Sequence, residues 1–269
     1  MENKTVRKRA MQKSLDAILQ EVLDVLEADD GRSFEEKKAL AIDMLRCKED
    51  SLLANKLVDM AIAETDASQL KDTFWSASDE IYAENGILLR KVKEADREKF
   101  LDLQRIYSAT KTMLQQEAYC NMVWNEHTQS KSLMLSIEKN GSYVGYCGIQ
   151  DITKKTWEIS IELVPDSVHQ GIGFTALTAM LNELKDRLWV NDFRVRIEPT
   201  NYASQRLFEK LGAVPNGISE LWIHDQETIE QLESENQHLI NDDLVAVAQK
   251  FSVQPQQLLS HVLEYTLKW

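Results

Sequence analysis

From Ser167 to Thr175 the chain reads Ser-Val-His-Gln-Gly-Ile-Gly-Phe-Thr, after an alternating stretch expected as a strand from Trp157 to Val164 and before a helical pattern running to about Arg187. A strand that turns through two closely spaced glycines into a helix has few ways to fold. Glycine removes the Cβ atoms that would hold an anion away, and the N–H groups of the first helical turn converge with the positive end of the helix dipole. The segment is a candidate pyrophosphate site, although a Gly-x-Gly turn before a helix also serves as a plain tight connection.

Downstream, Arg194 to Ile197 alternate as a strand and lead into Asn201-Tyr202-Ala203-Ser204-Gln205-Arg206-Leu207-Phe208-Glu209-Lys210-Leu211-Gly212. Together the two segments resemble the GNAT acetyltransferase family. Its turn pattern, R/Q-x-x-G-x-G/A, is matched at Gly171 and Gly173, and its N-x-x-S-x-x-L-Y/F-E-K-L-G signature from Asn201 through Gly212. The resemblance covers about Gly86 to the C-terminus. It implies an α+β chain of the three-layer α/β kind, with a mixed, mostly antiparallel sheet flanked by helices.

Residues before Gly86 read as an all-α N-terminal unit. Ala10 to Ala28 places Met11, Leu15, Ile18, Leu19, Val22, Val25 and Leu26 on one stripe, and Asp29-Asp30-Gly31 breaks it. Ser33 with Glu36 forms a capping box for a helix through about Arg46, a third helix follows from Ser51, and a further helical pattern spans Leu70 to Tyr82. We therefore expect a helical domain at 1–85 and an acetyltransferase domain at 86–269. In the second, Ile87 to Val92 reads as a strand and Asp96 to about Gln116 as a helix with Phe100, Leu103 and Ile106 on one face. Ser132 to Glu138 and Ser142 to Ile149 read as a hairpin around Asn140-Gly141. After Gly212 we expect a sixth strand over Ala213 to Ile223, a helical insertion at about 225–258, and a last strand from His261 that closes the sheet beside the fifth or sixth.

Composition narrows the functional class. The 269 residues are 43% hydrophobic and 28% charged, ordinary for a soluble protein and long for one compact acetyltransferase domain. A net charge of -13 argues against nucleic acid as a partner. Lys4, Arg7, Lys8 and Arg9 read as a solvated basic end. No apolar run approaches a membrane span and Met1 to Arg9 lacks a signal peptide's apolar stretch, so the expected location is cytoplasmic. Cys47, Cys120 and Cys147 have no ligand spacing, which argues against disulfides and a zinc site.

The resemblance implies transfer of an acetyl group from acetyl-CoA, as cosubstrate and without a metal, to a primary amine. An ammonium cannot attack a thioester, and at a pKa of about 10.4 roughly one amine in two thousand is neutral at pH 7. In the family a carboxylate takes the proton, directly or through water, while a fourth-strand backbone N–H polarises the thioester carbonyl. Carried across, His169, Gln170, Gly171, Ile172, Gly173 and Phe174 match the pyrophosphate loop, and Val168 stands where its Arg or Gln opens the motif. Leu163 matches the strand end that meets the pantetheine and acetyl group, Asn201 the amide contact to the pantetheine arm, and Ser204 its helix-start companion. Asn201 and Ser204 also suit a plain helix cap.

For the base, the resemblance makes Glu158 the first choice, since Trp157-Glu158-Ile159 sits where the histone-type branch of the family carries its fourth-strand glutamate. Strand period sets Glu158, Ser160 and Glu162 on one face, and Glu162, nearer the thioester, is the second. Both also fit as solvated strand residues, and His169 and His127 read as loop and helix surface residues. Phe208 stands where many members place the tyrosine that reprotonates the leaving thiolate, and Gly212-Ala213 replaces the usual Gly-Phe. A thiol pKa of about 8.5 lets the thiolate leave unassisted.

Two functions follow. One is an active N-acetyltransferase whose N-terminal and inserted helices shape the acceptor site or a homodimer contact. The other is a catalytically weak acyl-CoA-binding regulatory protein whose N-terminal helices bind a protein partner. Acidic balance suggests a cationic acceptor: a polyamine, an aminoglycoside, a lysine side chain or a protein N-terminus.

Overall fold

The structure is a computed structural model that describes residues 24–26, 28, 30–33, 36–41, 66–220 and 225–269. The chain divides into two units, 1–70 and 71–269. In the first, residues 24–26 and 36–41 are helical. The capping box forms, with Ser33 N donating to Glu36 Oε2 at 2.8 Å and Glu36 N donating to Ser33 Oγ at 3.4 Å. Most of the stripe from Ala10 to Ala28, the helix from Ser51, the basic cluster at Lys4 to Arg9 and Cys47 lie outside the described residues.

The second unit is built on eight strands: β1 (Glu80–Tyr82), β2 (Ile87–Lys91), β3 (Leu133–Lys139), β4 (Ser142–Ile149), β5 (Trp157–Leu163), β6 (Asp192–Ile197), β7 (Val214–Glu220) and β8 (His261–Lys268). Their order is β1-β2-β3-β4-β5-β6-β8-β7. Only β5 and β6 run parallel, so the sheet is mixed and mostly antiparallel as expected. Asn140 (φ 52) and Gly141 (φ 79) both take the left-handed conformation that a two-residue hairpin turn needs, and Lys139 pairs with Ser142 across it. The final strand lies between β6 and β7, beside both candidates. Its Leu263, Tyr265 and Leu267 are fully buried, while the alternate positions look outward or are half-buried except Val262.

Helices cover both faces. On one lie α1 (Arg97–Tyr107) and α2 (Glu117–Thr128), where Phe100 of α1 packs against Tyr146 of β4 with ring centroids 5.5 Å apart. On the other lie α3 (Ile172–Leu188), which buries Ala176, Leu177, Met180, Leu181 and Leu184, and α4 (Tyr202–Lys210). The inserted segment between β7 and β8 forms α5 (Gln226–Glu235), α6 (Asp242–Phe251) and a 3-10 turn at Pro255–Leu259. Asn241 caps α6 by accepting from Leu244 N at 2.9 Å. The insertion is anchored where the Phe251 and Tyr265 rings meet edge to face at 5.0 Å and where Lys250 pairs with Glu209.

Three expectations change. The helix from Asp96 stops at Tyr107, because the Ser108 hydroxyl bonds Thr110 N at 3.1 Å and draws the chain into a turn before α2. Within it Ile106 is exposed, and Leu101 joins Phe100 and Leu103 in the core. The helical pattern at Leu70 to Tyr82 is helix only to residue 75, where Ser76 Oγ donates to Thr73 O at 2.8 Å; Ile81 and Tyr82 belong to β1. His127 is not on the surface. It is buried and stacks on Phe100 with centroids 4.0 Å apart, and burial, with Lys71 nearby, lowers its pKa to about 3, so the neutral ring packs as a flat aromatic. Cys120 and Cys147 are buried thiols. Among the described residues no helix is long and apolar enough to cross a membrane, and no group of three or more His, Cys, Asp or Glu could hold a metal ion.

Candidate active site

The site arises where the two parallel strands part. β5 and β6 are in register only at Trp157 with Phe193 and Glu158 with Arg194. Beyond that point a cleft of about 780 Å³ opens, lined by Ile159 to Leu163 of β5 and Val195 to Ile197 of β6. On its other edge β5 is bonded to β4, where Gln150 N donates to Glu158 O at 3.3 Å and Val164 N to Val144 O at 2.9 Å. Antiparallel ladders alternate, so the backbone groups of Ile161 and Leu163 face the cleft beyond the last residue of β5 that pairs with β6, and have no strand there to pair with. Tyr107 Oη of α1 donates to one of them, Leu163 O, at 3.1 Å.

At the C-terminal end of β5 the chain passes a short 3-10 turn at Pro165–Ser167 and enters the glycine turn. His169 (φ 60) and Gly171 (φ 77) both adopt left-handed backbone, a concave arrangement that points successive N–H groups one way. No side chain caps α3 at Gly171, which leaves the first N–H groups of the helix for an anionic ligand. The two glycines serve different ends. A Cβ on Gly171 would meet nothing within 4 Å, so its need is for the positive φ. A Cβ on Gly173 would come 3.2 Å from Leu207 Cδ2 and 3.4 Å from Ile161 Cδ1, so this glycine lets α3 pack close on β5 and α4. Its absent side chain thus has a packing use beside its place on the cleft wall.

Val168, His169, Gly171, Ile172, Gly173 and Phe174 line the cleft, as do Leu163, Asn201, Ser204, Glu158 and Glu162. Gln170 does not; its side chain is turned to Lys139 Nζ at 3.0 Å and Asp166 O at 2.6 Å. Asn201 Oδ1 caps α4 by accepting from Ser204 N at 3.1 Å, so the cap and a place on the cleft wall coexist. Phe208 is buried in the cleft wall.

The two carboxylates on β5 differ. Glu158 is held by two guanidinium groups, Arg196 Nε donating to Oε1 at 2.8 Å and Arg194 Nη2 to Oε2 at 3.0 Å. Glu162, on the same face, has no cationic partner among the described residues. Burial raises its pKa, against hydrogen bonds from Tyr146 and from Gln104, whose Nε2 donates to Oε2 at 2.9 Å. Burial likewise raises Glu198, at the cleft edge after β6. Sequence reading missed Gln104, Tyr107, Tyr146, Arg194, Arg196 and Glu198 as site residues. Only the alternation that puts Arg194 and Arg196 on the Glu158 face of the sheet was visible beforehand. At the glycine end, Arg206 and Lys210 add positive charge, and Lys210 Nζ sits 4.1 Å above the Phe174 ring.

Residues 87–214 match the family model described as an acetyltransferase (GNAT) domain. That stretch of the chain is a GNAT acetyltransferase domain. Among solved structures it is similar to RimL, a ribosomal L7/L12 alpha-N-protein acetyltransferase in complex with coenzyme A, at 13% identity and a TM-score of 0.51, over 70% of this chain and 97% of that one. It is also similar to a GNAT-family acetyltransferase from Bacillus anthracis, at 17% identity and 0.48 over 70% and 98%, and to Mycobacterium smegmatis RimJ in complex with CoA-disulfide, at 13% and 0.47 over 70% and 85%. At these identities the likeness is one of fold. No curated protein sequence matches the chain.

Proposed function

We propose that this protein is a cytoplasmic N-acetyltransferase that acetylates a primary amine, with Glu162 as the general base. The reading is carried by one observation: Glu162 is a carboxylate on the cleft wall that burial makes more basic and that no cation neutralises. A base must hold a proton while the amine attacks, and a carboxylate whose pKa burial raises does so better than one committed to ion pairs. Glu158, the first choice from sequence, is such a committed carboxylate.

The residues present fit acetyl-CoA. The uncapped start of α3 with Gly171 and His169 would hold the pyrophosphate, Arg206 and Lys210 would add charge beside it, and the unpaired backbone edge at Ile161 and Leu163 would receive the pantetheine arm, with Asn201 and Ser204 across the gap. When bound, the cosubstrate supplies the activated acetyl thioester. Glu162 accepts the ammonium proton, and the backbone N–H groups facing the cleft polarise the thioester carbonyl. Phe208 has no proton to return to the thiolate, which leaves unassisted. The acetyltransferase domain takes in the unit from about residue 71 to 269, with the helices at 225–258 inserted in it, and the helical segment before it is an appended module.

Calorimetric titration with acetyl-CoA and with CoA, followed by thiol-release assays over a panel of amines, tests the reading. We expect micromolar binding and amine-dependent thiol release that Glu162→Gln abolishes at unchanged cosubstrate affinity. Tight binding with no acceleration by any amine would leave the regulatory acyl-CoA-binding reading in its place. No binding would remove both.

A further inference from the structure

A second cavity, of about 440 Å³, adjoins the cleft at the end away from the glycine turn; Gln150, Glu158 and Arg196 line both spaces. Its walls carry four cations, Lys154, Lys155, Arg194 and Arg196, against two carboxylates, Asp151 and Glu158. In a chain whose net charge is -13 this is a local reversal of sign.

The cations are incompletely satisfied. Lys154 Nζ lies 4.0 Å from Asp151, at the limit of an ion pair, and Arg194, whose Nη2 meets Glu158 at 3.0 Å, has its Nη1 no nearer than 3.9 Å to Glu264. Arg196 meets Glu158 through Nε alone, which leaves its two Nη atoms without a carboxylate, and Lys155 has no partner among the described residues. Arg194 Nε is buried without an acceptor. A buried donor left unpaired is unfavourable, and a guanidinium fork is shaped for carboxylate and phosphate.

We infer that the acceptor carries an anionic group, a carboxylate or a phosphate, and that this cavity binds it while the amine is presented at Glu162. The inference rests on the proposed acetyl transfer and deepens it by assigning the acceptor's class. Four residues of strand separate Glu158 from Glu162, about 13 Å. The amine and the anionic group of the acceptor therefore stand on the order of 10 Å apart, the reach of an extended peptide N-terminus with an acidic residue at its second or third position. Whole-chain acidity suggested a cationic acceptor, but recognition is decided by the charges that line the site, and these repel a polyamine.

The test uses the full chain with CoA bound and measures, by calorimetry, the affinity of two product analogues, N-acetyl-Ala-Asp-Glu-amide and N-acetyl-Ala-Asn-Gln-amide. A third, N-acetyl-Ala-phosphoserine-Ala-amide, distinguishes phosphate from carboxylate as the preferred group. At least tenfold tighter binding of an acidic analogue is expected, falling about tenfold in Lys154→Ala/Lys155→Ala at unchanged CoA affinity. Equal affinity for acidic and neutral analogues, no binding of either, or an acidic preference untouched by the double variant overturns the inference and leaves the transferase reading standing. A separate titration with acetyl-CoA alone reports on that reading, and failure there removes both.

Discussion

Gln104 Nε2 donates to Glu162 Oε2 at 2.9 Å, tying the middle of α1 to a carboxylate on β5. The neutral amide orients the group without supplying a positive charge to lower its basicity. Four residues earlier on the same face, Glu158 receives two guanidinium groups instead. One strand face thus presents two carboxylates with opposite electrostatic surroundings, and this divides their roles.

Glu162→Gln should lower kcat by about 10²–10⁴, the usual contribution of a general base, with the acetyl-CoA affinity within about threefold of wild type. Glu158→Gln should lower kcat by no more than about tenfold and instead raise the KM of the acceptor, because it frees Arg194 and Arg196 to rearrange. Steady-state kinetics with both substrates varied separates the two. A larger kcat loss in the Glu158 variant would exchange the assignments.

The raised pKa of Glu162 has a sign that stability measurements can read. An unfolded chain ionises this carboxyl first, so as pH rises from the ordinary carboxyl range through the raised value, the unfolded state binds fewer protons and the fold loses stability. Glu162→Gln should therefore melt higher than wild type at pH 8, with the difference shrinking toward pH 4. At this size each kcal/mol corresponds to about 2–4 °C. Activity should follow the opposite course, with wild-type kcat/KM rising through the same pH range as the base becomes available. A variant that melts lower at pH 8 would show that the carboxylate is stabilising and poorly suited to the role.

The fold was legible wherever a local rule acted alone. Asn140-Gly141 announced its hairpin through the positive φ it requires, Ser33 and Glu36 announced a cap, and the glycine turn marked the switch from strand to helix. What was missed depended on tertiary partners. Nothing local told Glu158 from Glu162; the difference comes from Arg194 and Arg196 on the neighbouring strand and Gln104 on α1. Helical periodicity across Leu70 to Tyr82 concealed β1, because a three-residue edge strand is too short to show a period of its own, and its pairing with β2 decides the matter. His127 looked like a surface residue since one polar side chain on a helix gives no hint that Phe100, Trp124 and Tyr146 enclose it.

That enclosure predicts acid sensitivity. His127 is neutral in the fold down to about pH 3, whereas in the unfolded chain it takes up a proton below about 6.5. Stability should thus be lost as pH falls from 6.5, at up to about 1.4 kcal/mol per pH unit. His127→Leu should remove this contribution between pH 6.5 and 4.5 and leave the opposite slope that the raised Glu162 and Glu198 carboxyls supply. Denaturant midpoints of wild type and variant at three pH values would check it; a difference between the two that does not change with pH over that window would show that the ring reaches solvent.

The glycine turn offers the sharpest separation of fold from ligand. Gly171→Ala forces a side chain into φ 77 at a cost of about 1–2 kcal/mol, and its new Cβ meets no protein atom within 4 Å. Gly173→Ala places its Cβ against Leu207 and Ile161, whose side chains must give by a few tenths of an ångström. If the pyrophosphate rests on the concave backbone of the turn, Gly171→Ala should weaken acetyl-CoA binding at least tenfold. Gly173→Ala should leave affinity within about threefold while lowering the melting temperature. A bulkier replacement at Gly173 would overpack the contact between α3 and α4 and cost about 1–3 kcal/mol whatever the ligand does. The alanine pair measured by calorimetry and thermal unfolding together is therefore the informative one: affinity lost chiefly at Gly173 would move the phosphate contact from the turn into the first turn of α3.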